Sequence, residues 1–331
     1  MNQMKHEQQF IEVIQLINKA RTNAYKAVNT ELINLYWNIG KYISEQVTSQ
    51  AWGRSVVSQL AKYIEKKAPD LKGYSESNLW RMRQFYETYR DYPKLSPLVT
   101  QISWTNNLLI LGTKTISEKE YYINLCIQER YSKRELERQI GSSLYERTIM
   151  GNSKLAPLVR EFKAPTINSF KDSYIFEFLN LPPDHSESEL QRALVSQMKD
   201  FILELGKDFV FMGQEYRLQV GNTDFELDLL FYHRELQCLV AIELKTEKFK
   251  PEYMGQLNFY LEALDQDVKK PHENPTIGIL LCKEQDSQVV KYCLNRSLSP
   301  ALVAAYETQL PDKMLLQQKL NELQINDNQE A

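Results

Sequence analysis

The apolar residues of this chain change their period once, and that change limits what the chain can become. From residue 10 to residue 47 they recur at helical spacing through Ile14, Ile17, Ala20, Ala24, Val28, Leu32, Leu35 and Ile39. Helical patterns continue over 52–68, 76–89, 118–130 and 133–149, with Ser75 as an N-cap. Ser117 with Glu120 and Ser132 with Glu135 read as capping boxes. Past residue 208 the runs become strand-like, over 209–220, 225–232, 236–246, 276–282 and 301–306. Helices are expected over 186–206, opened by a Ser186/Glu189 capping box, over 251–265 from Pro251, and over 286–298. In between, from 151 to 170, periodicity fades around Pro157 and Pro165. The pattern predicts an all-α domain over 1–150, a linker over 151–170, an α/β domain over 171–325 and a disordered tail over 326–331.

Composition narrows the function classes. At 331 residues, 43% hydrophobic and 25% charged, the chain has a globular composition with room for two cores. No apolar run approaches the roughly 18 residues of a membrane span. The polar start, Met1 to Gln9, does not read as a secretory leader, so a cytoplasmic protein is expected. Four cysteines without a CxxC pair read as reduced thiols, and four unpaired histidines argue against multi-histidine metal chemistry. The net charge of −3 divides into +8 over residues 1–165 and −11 over 166–331. A basic half beside an acidic half suits nucleic-acid contact, or marks two domains that differ only in surface charge.

Two neighbouring strands carry the residues with chemistry. One runs Phe225-Glu226-Leu227-Asp228-Leu229-Leu230-Phe231-Tyr232, the other Leu239-Val240-Ala241-Ile242-Glu243-Leu244-Lys245. Strand alternation puts Glu243 and Lys245 on one face. A loop that sets His233 opposite Leu236 pairs Leu229 with Val240 and Leu227 with Ile242, and places Asp228 opposite Ala241, diagonal to Glu243. A slip of one residue would turn Asp228 into the apolar face. At the diagonal separation of about 7–8 Å, two carboxylates converge on one hard cation. The Asp/Glu-x-Lys tripeptide occurs five times, but only Glu243-Leu244-Lys245 ends an apolar strand with a partner carboxylate on the strand before it. The alternative is a solvated sheet face whose Asp, Glu and Lys pair with one another.

These residues resemble the PD-(D/E)xK nuclease superfamily, and more narrowly the bacterial two-domain family typified by YhcG. The likeness runs through Leu227-Asp228-Leu229-Leu230-Phe231-Tyr232-His233, Glu243-Leu244-Lys245, Phe249-Lys250-Pro251, Gly255-Gln256, Phe259-Tyr260-Leu261 and the stretch from Asn274 to Cys282. In the first half it rests on Ala27-Val28-Asn29, Tyr36-Trp37, Ile39-Gly40-Lys41, Trp52-Gly53 and Asn78-Leu79. It implies a restriction-endonuclease-like α/β domain with a central mixed sheet behind the helical domain, and a Mg²⁺-dependent nuclease, with Mn²⁺ as substitute. Asp228 and Glu243 would bind the metal with the Leu244 carbonyl, and Lys245 would position water and steady transition-state charge. Gln256 and Tyr260, on one helix face, match a family position flanking the site. A carboxylate from the first helix, Glu189 or Glu187, would join the metal, with Glu226 a further candidate. Lys248 and Lys250 are candidate phosphate contacts. Where relatives commonly carry Trp-Ser-His, this chain has Trp104-Thr105-Asn106.

In the helical half, 52–68, the turn through Gly73 and 76–89 give a helix-turn-helix-like order with a long turn. Asn78 near the second helix start, with Arg81 and Arg83, could reach bases and phosphates. Protein assembly through Trp80, Phe85, Tyr86 and Tyr89, and a plain bundle, remain open. The expected partner is DNA, with a homo-oligomer or a protein partner as further options and no membrane. The alternatives to an active nuclease are a catalytically silent nuclease fold used for binding or assembly, and a toxin or defence component acting through protein partners.

Overall fold

The computed structural model describes residues 2–49, 52–150, 170–295, 297, 299–318 and 320. The expected linker, apart from Phe170, and the expected tail lie outside the described residues. The chain divides into two compact units, Met1–Glu137 and Arg138–Ala331. No described helix is long and apolar enough to cross a membrane.

The first unit is helical: α1 (Asn2–Thr48), α2 (Arg54–Lys67), α3 (Glu76–Tyr89), α4 (Ser96–Val99), α5 (Trp104–Leu111) and α6 (Ile116–Glu129), with α7 (Lys133–Gly141) crossing the unit boundary. Buried Ile33, Tyr36 and Ile43 of α1 face buried Leu79, Met82 and Phe85 of α3. Gly40 permits the approach, because a Cβ there would lie 2.1 Å from the Met82 carbonyl oxygen. Ser75 caps α3 through the Asn78 amide. The α6 cap is Thr115 rather than the expected Ser117: its hydroxyl takes the Glu118 amide, and the Glu118 carboxylate takes the Lys114 amide at 2.9 Å. Thr115-x-x-Glu118 has the capping-box spacing two residues upstream, with the carboxylate reaching the residue before the cap, and it starts the helix so that Tyr122 and Ile123 are buried. The Ser132/Glu135 box forms as expected. The single helix expected over 133–149 breaks after Gly141, at Ser142 and Ser143, with Ser143 left-handed at φ 54°. Gly-Ser-Ser is a weak helix-forming run. The chain resumes as α8 (Leu144–Met150) in the second unit.

The second unit holds a six-stranded mixed sheet ordered β1-β6-β5-β4-β3-β2. Its strands are β1 (Ser173–Ile175), β2 (Phe209–Val220), β3 (Thr223–His233), β4 (Cys238–Lys248), β5 (Asn274–Glu284) and β6 (Ala301–Glu307). The β2-β3-β4 meander is antiparallel, and β4-β5, β5-β6 and β1-β6 pair in parallel. A 3₁₀ turn (Glu177–Leu179) leads towards α9 (Glu187–Ser196) and α10 (Met198–Leu205), which replace the one helix expected over 186–206. Gln197, at φ −109° and ψ 33°, leaves helical geometry and breaks it. Helix α11 (Tyr253–Asp267) crosses from β4 to β5, and α12 (Ser287–Leu294) from β5 to β6. Layers on both faces explain why β4 is buried at every position from Cys238 to Lys245, the expected state of a central strand. Gly278 lets α11 settle on β5, since a Cβ there would lie 2.9 Å from a Leu257 methyl.

Candidate active site

The register between β3 and β4 differs from the expected one by two residues. Leu229 pairs with Ile242, Phe231 with Val240 and His233 with Cys238. The loop is therefore Arg234 to Gln237, with Gln237 left-handed at φ 50° and the Leu236 amide donating to His233 Nδ1 at 3.2 Å. A two-residue turn on Arg234-Glu235 would need left-handed geometry without Gly or Asn, which disfavours it. Because side chains repeat every two residues, the shift keeps each on its expected face. It also moves Asp228 from a diagonal to a position one step past the last pair, straight across from Glu243.

At that end of the sheet the charged side chains meet. The Leu244 amide, no longer in the β3 ladder, donates to Asp228 Oδ2 at 2.8 Å. The N–H and C=O of one strand residue point to the same neighbour, so the Leu244 carbonyl faces this side as well. Lys245 Nζ donates to Glu243 Oε1 at 3.1 Å and to Glu187 Oε2 at 3.4 Å. Glu243 Oε2 is buried without a hydrogen-bond partner. Burial, and then the nearby Asp228 carboxylate, push Glu243 up to about 7, against the pull of Lys245. Burial also raises Asp228, against its bond from Leu244. The Lys245 ammonium is held above its ordinary value: Glu243 and Glu187 outweigh its burial. The ring of Tyr253 lies 5.5 Å from its nitrogen.

Three further elements fix this end. Glu187 stands in the first turn of α9. His185, just before that helix, must donate Nδ1–H to the Pro182 carbonyl at 2.7 Å, since a carbonyl only accepts. Its Nε2 then accepts the Tyr306 hydroxyl at 3.0 Å. Gln191, one turn after Glu187, donates to the Asp228 main-chain carbonyl at 3.0 Å. From α11, the Tyr260 hydroxyl donates to the Glu226 carbonyl at 3.0 Å and accepts from Gln256 Nε2 at 2.9 Å.

The structure thus brings Asp228, Glu243, Leu244 and Lys245 together and adds Glu187. Glu189 is not among them: its carboxylate takes the Ser186 amide and hydroxyl, each at 2.8 Å, completing the capping box. Those hydrogen bonds favour its charged form and lower its pKa. Glu226 turns to Arg217 on β2 at 3.7 Å and is exposed. Gln256 and the buried Tyr260 brace β3 two residues before Asp228. Lys248 is exposed at the end of β4, while Lys250 pairs with Glu247 at 2.7 Å, and Tyr253 also bonds Glu247. In the first unit, Asn78 is committed at both ends of its amide, accepting from Trp104 Nε1 at 3.0 Å and donating to the Gly73 carbonyl. These bonds hold the Asn78 amide against the helical unit. Arg83 pairs with Glu87 at 2.8 Å, whereas Arg81 is exposed. Sequence reasoning missed Gln191; its four-residue spacing from Glu187 was the available signal.

The donor set suits a hard divalent cation. Two carboxylates stand side by side, one with an unpartnered buried oxygen, and oxygen is the ligand that Mg²⁺ and Mn²⁺ take. Among the described residues no three His, Cys, Asp or Glu side chains form a closed metal shell.

Comparison with known proteins places both halves. A family profile described as "YhcG PDDEXK nuclease domain" matches residues 167–321, and one described as "DUF1016 N-terminal domain" matches 12–147. "Putative nuclease YhcG" of Escherichia coli (strain K12) is 31% identical over 93% of this chain and 92% of its own. Among solved structures, a repair endonuclease from Pyrococcus abyssi is 17% identical with a TM-score of 0.26, over 39% of this chain and 50% of that one. An EndoMS–dsDNA2 complex is 17% identical with a TM-score of 0.27, over 40% of this chain and 47% of that one. The likeness therefore spans about half the length of those two solved chains.

Proposed function

The chain belongs to the family that joins a DUF1016 N-terminal domain to a YhcG PDDEXK nuclease domain, and from that premise we propose that it is a divalent-metal-dependent nuclease hydrolysing DNA phosphodiester bonds. The observation that carries the proposal is the buried, unpartnered Glu243 Oε2, set beside Asp228 and within the reach of Lys245. A solvated sheet face of mutually paired charges leaves no such oxygen. Asp228 and Glu243 would hold the ion, with the Leu244 carbonyl on the same side. Bound there, Mg²⁺ or Mn²⁺ supplies Lewis-acid polarisation of the scissile phosphate. Lys245 stays protonated at neutral pH, orients the attacking water and offsets charge that gathers on the phosphoryl oxygens. Glu187 and Glu243 fix that ammonium between them. Gln256 and Tyr260 act behind the site as braces. The basic first half, net +8, holds the polyanion that an acidic second half is poorly suited to hold alone.

The test is incubation of pure protein with linear, circular, branched and single-stranded DNA, and with RNA, in Mg²⁺, Mn²⁺ or EDTA. Cleavage of DNA that needs the metal and disappears in folded Asp228→Asn and Glu243→Gln supports the reading. Metal-independent cleavage, or full activity in either variant, overturns it.

A further inference from the structure

Helix α1 has two apolar faces, and the helical unit uses one. Ile33, Tyr36, Gly40 and Ile43 are buried on the α3 side. A second row advances by alternating steps of three and four through Tyr25, Val28, Leu32, Leu35, Ile39 and Tyr42. Most of this row faces solvent: Tyr25 is 71% exposed, Val28 68%, Leu35 43% and Tyr42 54%, with Tyr42 edge-on to Trp52 and Ile39 half-buried. Towards the N-terminus the same steps reach Arg21, Asn18 and Ile14. Residues 13–28 are exposed on every face of the helix. A helix that is apolar on several faces is ordinarily a buried one. An isolated stretch of about 15 residues is marginal in water without a partner.

The spacing identifies the partner. A repeat averaging 3.5 residues is the seam of a coiled coil, and here it persists from Ile14 to Tyr42. In that frame Asn18 falls at an a position, where one asparagine fixes register and favours two strands. We propose that the exposed heptad face of α1 pairs with the same face of a second copy of this chain, as a parallel two-stranded coiled coil with Asn18 meeting its counterpart.

Charge and area agree with self-pairing. The flanking g and e positions from Ile17 to Ile43 carry one charge, Glu31, so a parallel pair opposes no like charges there. Lys19, Lys26 and Lys41 fall outside the seam. Arg21, at a d position, can carry its guanidinium out to water on its apolar stem. At the 150–250 Å² that one aromatic side chain can bury, Tyr25 and Tyr42 alone offer about 200–300 Å². A standard interface takes about 800 Å² from each partner. Ile14, Ile17, Val28, Leu32 and Leu35, all on the seam or beside it, add to that sum, each more than one-third exposed.

The experiment is sedimentation velocity and light scattering on the full chain at micromolar concentration. A dimer mass is expected for the wild type, and a monomer for Val28→Glu/Leu35→Glu with its melting temperature retained. Both positions face solvent in one chain, so these charges do not enter its core. A wild-type monomer, which would mean that another part of the chain or another partner covers the face, overturns the proposal. So does a dimer that survives the double substitution. Asn18→Leu, at an exposed position, is expected to raise the mass above that of a dimer; an unchanged dimer removes Asn18 from the seam. For orientation, Leu32→Cys is combined with Cys293→Ser, which removes the partly exposed thiol. Mild oxidation is expected to link the two copies at residue 32, and a dimer that does not link is not parallel.

Discussion

Gln191 donates a hydrogen bond to the main-chain carbonyl of Asp228 at 3.0 Å, so one turn of α9 braces the strand just where its carboxylate turns towards Glu243. Glu187, four residues earlier on the same face, meets Lys245. One neutral hydrogen bond contributes only about 0.5–1.5 kcal/mol net to folding. Groups that orient a metal ligand from behind commonly change affinity by about 10–100-fold. Gln191→Leu is therefore expected to weaken Mn²⁺ binding about tenfold by isothermal titration while melting within a few degrees of wild type. Unchanged affinity would limit Gln191 to helix docking.

Lys245 separates binding from rate. It shares Glu243 and Glu187 and is not itself a ligand, so Lys245→Ala is expected to keep Mn²⁺ affinity and lose at least about 100-fold in cleavage, the scale of one preorganised electrostatic group. Asp228→Asn and Glu243→Gln are expected to lose both. Titration and turnover on the same samples read the difference. A collapse of Mn²⁺ affinity in Lys245→Ala would mean that the lysine holds the site together.

The faces of the site were legible in the sequence because the strand period is two: Asp228, Glu243 and Lys245 had to share one side. The pairing was not, because the length of the 234–237 loop depends on a left-handed Gln237 that no glycine announces. The first-helix carboxylates show the same limit. Glu187 and Glu189 lie two apart, so they diverge on the helix, and only the capping geometry of Ser186 decides which one is spent locally. Strand β1, three residues long, is too short for any period to reveal. The breaks at Ser143 and Gln197 rest on single residues leaving helical geometry inside runs whose apolar spacing continues across them.

Glu204 makes a pH prediction independent of the site. It is fully buried, and it meets Arg138 at 2.8 Å, Lys171 at 3.2 Å, Arg147 at 3.6 Å and the Ile175 amide at 3.1 Å. Despite its burial, these cations hold its carboxyl down to about 2, below the ordinary glutamate value of about 4.3. The folded pKa lies below the unfolded one, so its stabilisation is complete above the unfolded value. It is lost as pH falls from there towards 2. Glu204→Gln leaves buried cations without their anion, a change that costs about 3–5 kcal/mol. Thermal melts across pH 3 to 7 should show a lower melting temperature for the variant at pH 7 and a narrower gap at pH 3. A constant gap would remove Glu204 from the acid transition.

Arg81 carries the remaining case for DNA contact through α3. Asn78 is tied to Trp104 and Gly73, and the charge of Arg83 is paired with Glu87, so both are held within the helical unit. Arg81 is exposed. Each phosphate neutralised on duplex DNA contributes about −0.9 to the slope of log affinity against log salt. Arg81→Ala is therefore expected to make that slope about 1 unit shallower, and Arg83→Ala to leave it unchanged while destabilising the helical unit slightly. Neither residue lies near Asp228 or Glu243 in sequence or belongs to their unit, so cleavage at saturating DNA should persist in both variants. Fluorescence anisotropy over a salt series compares the slopes. Equal slopes for wild type and Arg81→Ala would take α3 out of the DNA interface and leave the helical unit to assembly.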